Sequence, residues 1–371
     1  MTQPQIEIQL IAVVAAAACA LPGVFLVLRR MAMMSDAISH TVLLGIVLGF
    51  FITQDLASPL LVFGAAITGL LTVSLVELIN RTRLVREDTA IGLVFPALFS
   101  IAVILISRYA GDVHLDTDAV LLGELAFAPF NRFTPFGVDI GPVALYLMGA
   151  IFLLNLAFIL LFYKELKLAT FDAGLAAALG FAPGLIHYAL MGMVSITAVG
   201  AFEAVGSILV VAMMVAPPIT AYLLTDRLPG MIVLSVLAGA LAGISGYWAA
   251  HFLDASIAGS IATMMGVLFG LVFLLAPQRG LLAIRQRRAR QRWDFAQAML
   301  AIHLLNHEGL PGEEQEGRLD HLHEHIRWQP SFAAQVVRRA QRGGLILLQD
   351  AHLKLTDHGR QFARQMLMET D

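Results

Sequence analysis

The chain has 371 residues, is 58% hydrophobic and 14% charged, and carries a formal charge of -3. Soluble domains average about 45–50% apolar and about 25% charged residues, so one aqueous core cannot absorb this composition, and a disordered or collagen-like chain is excluded. The single cysteine, Cys19, can form no internal bridge, which excludes a disulfide scaffold.

The charge is unevenly placed. Residues 1–284 hold 11 basic and 16 acidic side chains, whereas residues 285–371 hold 13 basic and 11 acidic ones and seven of the 11 histidines. A long apolar domain, 1–284, therefore precedes a short polar one, 285–371.

A membrane span needs about 20 apolar residues. Candidate runs are 7–28, 37–53, 59–79, 89–107, 141–163, 187–224, 230–251 and 256–276. Met1 to Leu10 contains no Lys or Arg, so the first run reads as an uncleaved span, not a removed signal. Lys and Arg collect in alternate connections: Arg29-Arg30, then Arg81, Arg83 and Arg86, then Lys164 and Lys167, then Arg227, then Arg279 onward. The positive-inside rule places these in the cytoplasm, and with them the C-terminal domain. The run 187–224 must then enter and return, as two spans or as one span and a re-entrant half-helix. Gly200, Gly206, Pro217 and Pro218 would interrupt it. Eight or nine spans follow.

An ionisable group at membrane depth is costly and points to function. Asp36 and His40 are four residues apart and share a helix face, where a carboxylate and an imidazole could hold a borderline divalent metal; alternatively Ser35 or Asp36 caps the helix. Asp112, His114, Asp116 and Asp118 crowd an outer segment that could capture a cation or simply form a solvated turn. Glu203 lies inside 187–224, and it either serves the metal or is a carboxyl kept neutral or paired to a distant Arg. Glu77 is expected to reach the inner surface near Arg81, and His251 and Asp254 to lie at the outer interface. With Cys19 alone and the methionines unspaced, oxygen and imidazole donors favour manganese, iron(II) or zinc over copper(I). The sequence holds no GxxxxGK[ST] loop, so ATP hydrolysis, if used, belongs to another chain.

The tail reads as three helices, around Ala296–Leu305, Leu319–Ile326 and Phe332–Ala340. A hairpin, Leu345–Gln349 with His352–Leu355, and a last helix opening at Thr356 follow. Arg285, Arg287, Arg288, Arg290 and Arg292 would hug the inner membrane face. His321 and His325 share a helix face and could bind metal, as could His303 and His307; an exposed polar helix is the alternative. Arg338, Arg339 and Arg342 could meet phosphates, but an excess of two positive charges is small for nucleic acid, which is not expected as a partner.

Several stretches together resemble the membrane subunits of ABC-type manganese, zinc and iron uptake systems. They are Arg29-Arg30 with Ser35–His40 and Gly45, Glu87–Gly92, His114–Asp118 with Leu122-Gly123-Glu124, Phe171–Gly180, Ala204–Val211 with Pro217, and Ser256–Ser260. The resemblance implies an all-α polytopic permease with the architecture of the vitamin B12 importer. It implies a second permease, a cytosolic ATPase subunit and an extracytoplasmic metal-binding protein as partners, with the lipid bilayer as solvent. The metal would be cargo and no cofactor would be permanently bound. Asp36, His40 and Glu203 would line the metal path. Asp172, Gly180, Tyr222, Thr225, Asp226 and Arg227 would couple to the ATPase, with a short helix pair at Ile219–Gly230 as its dock. A carboxylate at Glu203, where the family often carries Asp, suits the manganese and iron branch. The tail resembles the winged-helix domain of metal-dependent repressors, a small α+β addition.

The expected function is a permease for manganese, or for iron or zinc, in a plasma membrane, and not an enzyme. An ion-driven secondary transporter and a membrane-tethered metal-responsive regulator are the alternatives.

Overall fold

A computed structural model of the chain describes residues 2–55, 58–109, 125–134, 139–311, 313–318, 328–349 and 352–368; for Pro59, Glu203, Glu314 and Gln315 it describes the backbone alone. The outer candidates Asp112, His114, Asp116 and Asp118, and His321 and His325 in the tail, lie outside the described residues. The chain divides into two compact units, Met1–Gly280 and Leu281–Asp371.

Among the described residues of the first unit, nine helices are long and apolar enough to cross a membrane. They are α1 (Gln3–Leu28), α2 (Ala32–Thr53), α3 (Pro59–Arg81), α4 (Glu87–Tyr109), α5 (Val143–Leu161), α8 (Pro183–Val205), α9 (Ser207–Leu224), α10 (Leu228–Leu253) and α11 (Ile257–Leu275). Two short helices, α6 (Tyr163–Phe171) and α7 (Ala173–Ala178), sit between α5 and α8. Strands β1 (Arg132–Phe133) and β2 (Gly141–Pro142) pair antiparallel just before α5.

The 187–224 region is two full helices, with no re-entrant half-helix. Gly206 separates them at φ 82° and ψ 160°, a conformation that a residue with a Cβ rarely adopts. Pro217 and Pro218 lie inside α9, which continues through them. With nine crossings, Arg29, Arg81, Lys164, Arg227 and Arg279 all fall at one end of the bundle, called here the basic end.

Apolar helices gain little from burial against one another in lipid, so close packing of small residues decides their contacts. A Cβ on Gly45 would collide with the Gly64 carbonyl, and one on Gly64 with the Gly45 carbonyl. This contact fixes the register of α2 on α3, and the Thr41 and Thr72 hydroxyls, 2.8 Å apart, extend it. Polar ties replace hydrophobic pressure elsewhere. Asn155 on α5 is buried and donates through Nδ2 to Ala18 O on α1 (3.0 Å) and to Thr197 Oγ1 on α8 (2.8 Å). At the end opposite the basic one, Arg132 donates to Glu7 Oε2 at 2.7 Å and to both Asp139 oxygens at 2.9 Å. These contacts hold the β1–β2 hairpin to the start of α1.

The second unit comprises α12 (Leu281–His307), α13 (Glu313–Glu316), α14 (Pro330–Arg342), β3 (Ile346–Gln349), β4 (His352–Leu355) and α15 (Asp357–Met368). Leu300, Ala301, Val336, Val337, Ile346 and Leu353 form its core. The strands pair antiparallel with Ile346 opposite Leu355. The basic stretch Arg285–Arg292 is part of α12. The expected helix at Leu319–Ile326 lies outside the described residues. Of the three arginines on α14, Arg339 packs over the Trp293 ring, 4.2 Å from its centroid.

Candidate metal pathway

α2 begins after the three-residue turn Arg29-Arg30-Met31, in which Arg30 takes φ 63°. Met34 and Ser35 at the start of α2 are buried, and Asp36 and His40 follow one turn apart in a helix long and apolar enough to cross a membrane. His40 Nε2 stands 3.5 Å from Asp36 Oδ1, and both side chains are about one-third exposed (28% and 34%). The His40 ring stacks on Phe95 of α4 at 5.7 Å and meets the edge of Phe99 at 5.8 Å. The aromatic wall packs against the imidazole plane and leaves its Nε2 beside one carboxylate oxygen of Asp36. No thiolate competes: Cys19 is fully buried in the helical core.

Glu203 does not join this pair. Ser195 Oγ donates to Ala66 O of α3 (3.3 Å) and lies against Gly69, beside Ile38 of α2, which sets Ser195 near the level of the Asp36–His40 turn. Glu203 lies eight residues further along α8, about 12 Å nearer the end opposite the basic one. It sits three residues before the Gly206 break, beside Ala204, which lines a recess with Phe127, Ala128, Asn131, Val143, Ala144 and Leu147.

Toward the basic end, a cleft of about 200 Å³ is lined by Met31, Met34, Val73, Val76, Glu77, Asn80, Glu87 and His187. Glu77 pairs with Arg81 at 2.6 Å and faces His187 Nε2 at 3.9 Å. Glu87 Oε1 is buried and accepts no hydrogen bond among the described residues. Two carboxylates and an imidazole thus sit between Asp36 and the basic end. Glu77 and Arg81 meet as their spacing predicts. Glu87 opens the Glu87–Gly92 stretch but had no role assigned to it, and His187 carried no signal of its own; only the packing of α3, α4 and α8 gathers them.

The basic end also holds the expected coupling residues. Ile219–Gly230 is not a helix pair: α9 runs to Leu224, Thr225-Asp226-Arg227 make a turn, and α10 starts at Leu228. The short helix pair is α6–α7 instead. Asp172 caps α7 by accepting from Leu175 N at 2.8 Å, and Gly180 ends that segment with φ 86°. Motif resemblance misplaced the pair because Ile219–Leu224 is apolar enough to complete a span. Arg279 ion-pairs with Asp226, donates to Tyr222 O at 2.8 Å and lies over the Tyr222 ring. Phe171 from α6 lines the same cleft as Tyr222, Thr225, Asp226 and Arg227, so the short helices and the 225–227 turn are neighbours. Phe171, Leu175, Leu179 and Leu185 are exposed there. Arg29 links α6 to the Glu77–His187 cleft: its Nε donates to Thr170 Oγ1 of α6 at 3.1 Å, and its Nη1 lies 3.4 Å from His187 Nδ1. Burial lowers the Arg29 pKa below the usual guanidinium value.

The profile of the ABC 3 transport family matches residues 5–276. The zinc transport system membrane protein TroD of Treponema pallidum (strain Nichols) is 49% identical over 361 residues, 97% of this chain and 98% of TroD, so that likeness runs through the second unit. The manganese transport system membrane protein MntD of Bacillus subtilis (strain 168) is 50% identical over 75% of this chain and 94% of its own. Among solved structures, PsaBC from Streptococcus pneumoniae in complex with Fab superposes with a TM-score of 0.64 at 29% identity, covering 77% of this chain and 96% of that one.

Proposed function

The chain belongs to the ABC 3 transport family as the permease of an ABC-type manganese or zinc transport system, and we propose that its cargo is manganese, held in transit by Asp36 and His40. The observation that carries this reading is the Asp36–His40 pair against Phe95 and Phe99. One hard oxygen and one imidazole give a mixed donor set with no thiolate, which suits manganese and iron(II) as well as zinc. Two protein ligands on one chain hold an ion weakly enough to release it, as transit requires.

Metal arrives from an extracytoplasmic binding protein at the Glu203 end, passes Asp36 and His40, and leaves past Glu77, Glu87 and His187. A second permease completes the passage, and ATP hydrolysis resides on a separate cytosolic chain. The exposed apolar side chains of Phe171, Leu175, Leu179 and Leu185 support α6–α7 as the dock for that ATPase, with Tyr222, Asp172, Gly180 and the Thr225-Asp226-Arg227 turn beside it. Movement of α6 reaches α2 through the Thr170–Arg29 hydrogen bond. In this reading the bundle lies in a plasma membrane and the second unit is cytoplasmic, as the clustering of Lys and Arg at one end of the bundle supports. That unit is a winged-helix-like module, supported by its helices and two-stranded hairpin.

Cellular manganese, iron and zinc measured by mass spectrometry in a deletion strain test the cargo. Complementation with the wild-type chain restores manganese. Restoration of zinc or iron alone overturns manganese as the cargo. If none changes, growth in chelator separates a redundant importer, which leaves the complemented strain with no advantage only until chelation, from failure of the import reading.

A further inference from the structure

We propose that His303, His307 and Glu316, in the second unit and apart from the transport path, form a binding site for a divalent transition-metal ion, with zinc the best fit. His303 and His307 are four residues apart near the end of α12 and share a face. Their ring centroids are 4.8 Å apart. Glu316, the last residue of α13, brings Oε2 to 3.4 Å from His303 Nε2. One donor atom from each of the three lies within 4.8 Å of the other two. Donors around a tetrahedral zinc stand about 3.3 Å apart, so small side-chain rotations would close the set.

Burial and local charge favour the same reading. The side chains of His303 and Glu316 are only 13% and 15% exposed, so the donors sit in a niche and not on a solvated face. From Glu308 to Glu316 the sequence has four glutamates and no Lys or Arg, which makes the neighbourhood attractive to a cation. α13 itself reads Glu-Glu-Gln-Glu, so it has no apolar side chain with which to dock on α12. Gly309 N donates to Glu313 Oε2, and Leu353 N to Gly317 O, each at 2.8 Å, and these bonds bring the turn close. Metal ligation by Glu316 would fasten it. Two imidazoles and one carboxylate leave a fourth zinc position open, and this set binds zinc more tightly than manganese.

The test uses the purified full-length chain in detergent, with zinc and cobalt as probes and a chromophoric chelator as competitor. The wild type should hold one zinc that Asp36→Ala/His40→Ala does not remove, and cobalt there should show the visible absorption of a four-coordinate site. His307→Gln, close to isosteric, and Glu316→Ala should each weaken that zinc by at least about tenfold. Size-exclusion elution identical to wild type will show that the variants are folded. The proposal is overturned if zinc binding is unaffected by His307→Gln and Glu316→Ala, or if the only zinc bound is lost with Asp36→Ala/His40→Ala. Because the control variant removes the transport pair alone, this site and the transport reading fail separately.

Discussion

His40 faces Phe95 with ring centroids 5.7 Å apart, and that stacking leaves its Nε2 beside Asp36. A polar pair at membrane depth would ordinarily be a liability. Here the aromatic wall covers one side of the ring, and in the proposed reading the donor atoms serve a passing ion. Replacing Phe95 with Ala should free the ring to rotate and raise the manganese concentration needed for half-maximal uptake, with little change in protein level. Uptake at graded manganese concentrations checks this; an unchanged half-saturation removes the positioning role of Phe95.

Glu203 lies about 12 Å from the level of Ser195, and so outside the shell that Asp36 and His40 can form. Glu203→Gln should therefore slow entry yet leave the preference between manganese and zinc unchanged. Competition uptake with both metals would reveal a switched preference, and that outcome would return Glu203 to the selectivity site.

Arg29 spans Thr170 and His187 at the basic end. Arg29→Ala should lower metal uptake while the assembled transporter still hydrolyses ATP, because the bridge from α6 to α2 is cut. Hydrolysis and uptake measured on one reconstituted preparation check this. A parallel fall in both would mean that Arg29 serves folding or docking instead.

The α2–α3 contact at Gly45 and Gly64 admits no Cβ. Gly64→Leu should destabilise the bundle by about 1–3 kcal/mol or more, since the backbones must part. Loss of Asn155, which ties α1, α5 and α8, should cost less, about 1 kcal/mol for Asn155→Leu. Thermal unfolding in detergent ranks the two; a stable Gly64→Leu protein would contradict the packing account.

The spans were legible because lipid allows only long apolar helices, and composition alone marks them. Their parity followed from Arg29, Arg81, Lys164, Arg227 and Arg279. Asp36 and His40 were legible because helical spacing puts them on one face. The rest depended on contacts distant in sequence. Glu7 drew no notice because its partner, Arg132, is 125 residues away. Gln3, Pro4 and Gln5 made α1 look four residues shorter than it is. Glu87 and His187 became meaningful only when α4 and α8 closed on α3. The short helix pair α6–α7 lies in a polar connection with no periodicity of its own, while Ile219–Gly230, expected as such a pair, is the end of α9, a turn and the start of α10. In the second unit, Glu316 joined His303 only through the docking of α13.

The most direct test of the account is the initial rate of radioactive manganese uptake by cells that lack the native chain. The cells would express wild type, Asp36→Ala or His40→Ala at equal membrane levels. The account predicts saturable uptake with wild type and, with either variant, a rate no higher than in cells carrying no permease. Variants that import manganese at the wild-type rate would contradict it, because the ion would then cross without the pair on which the pathway is built.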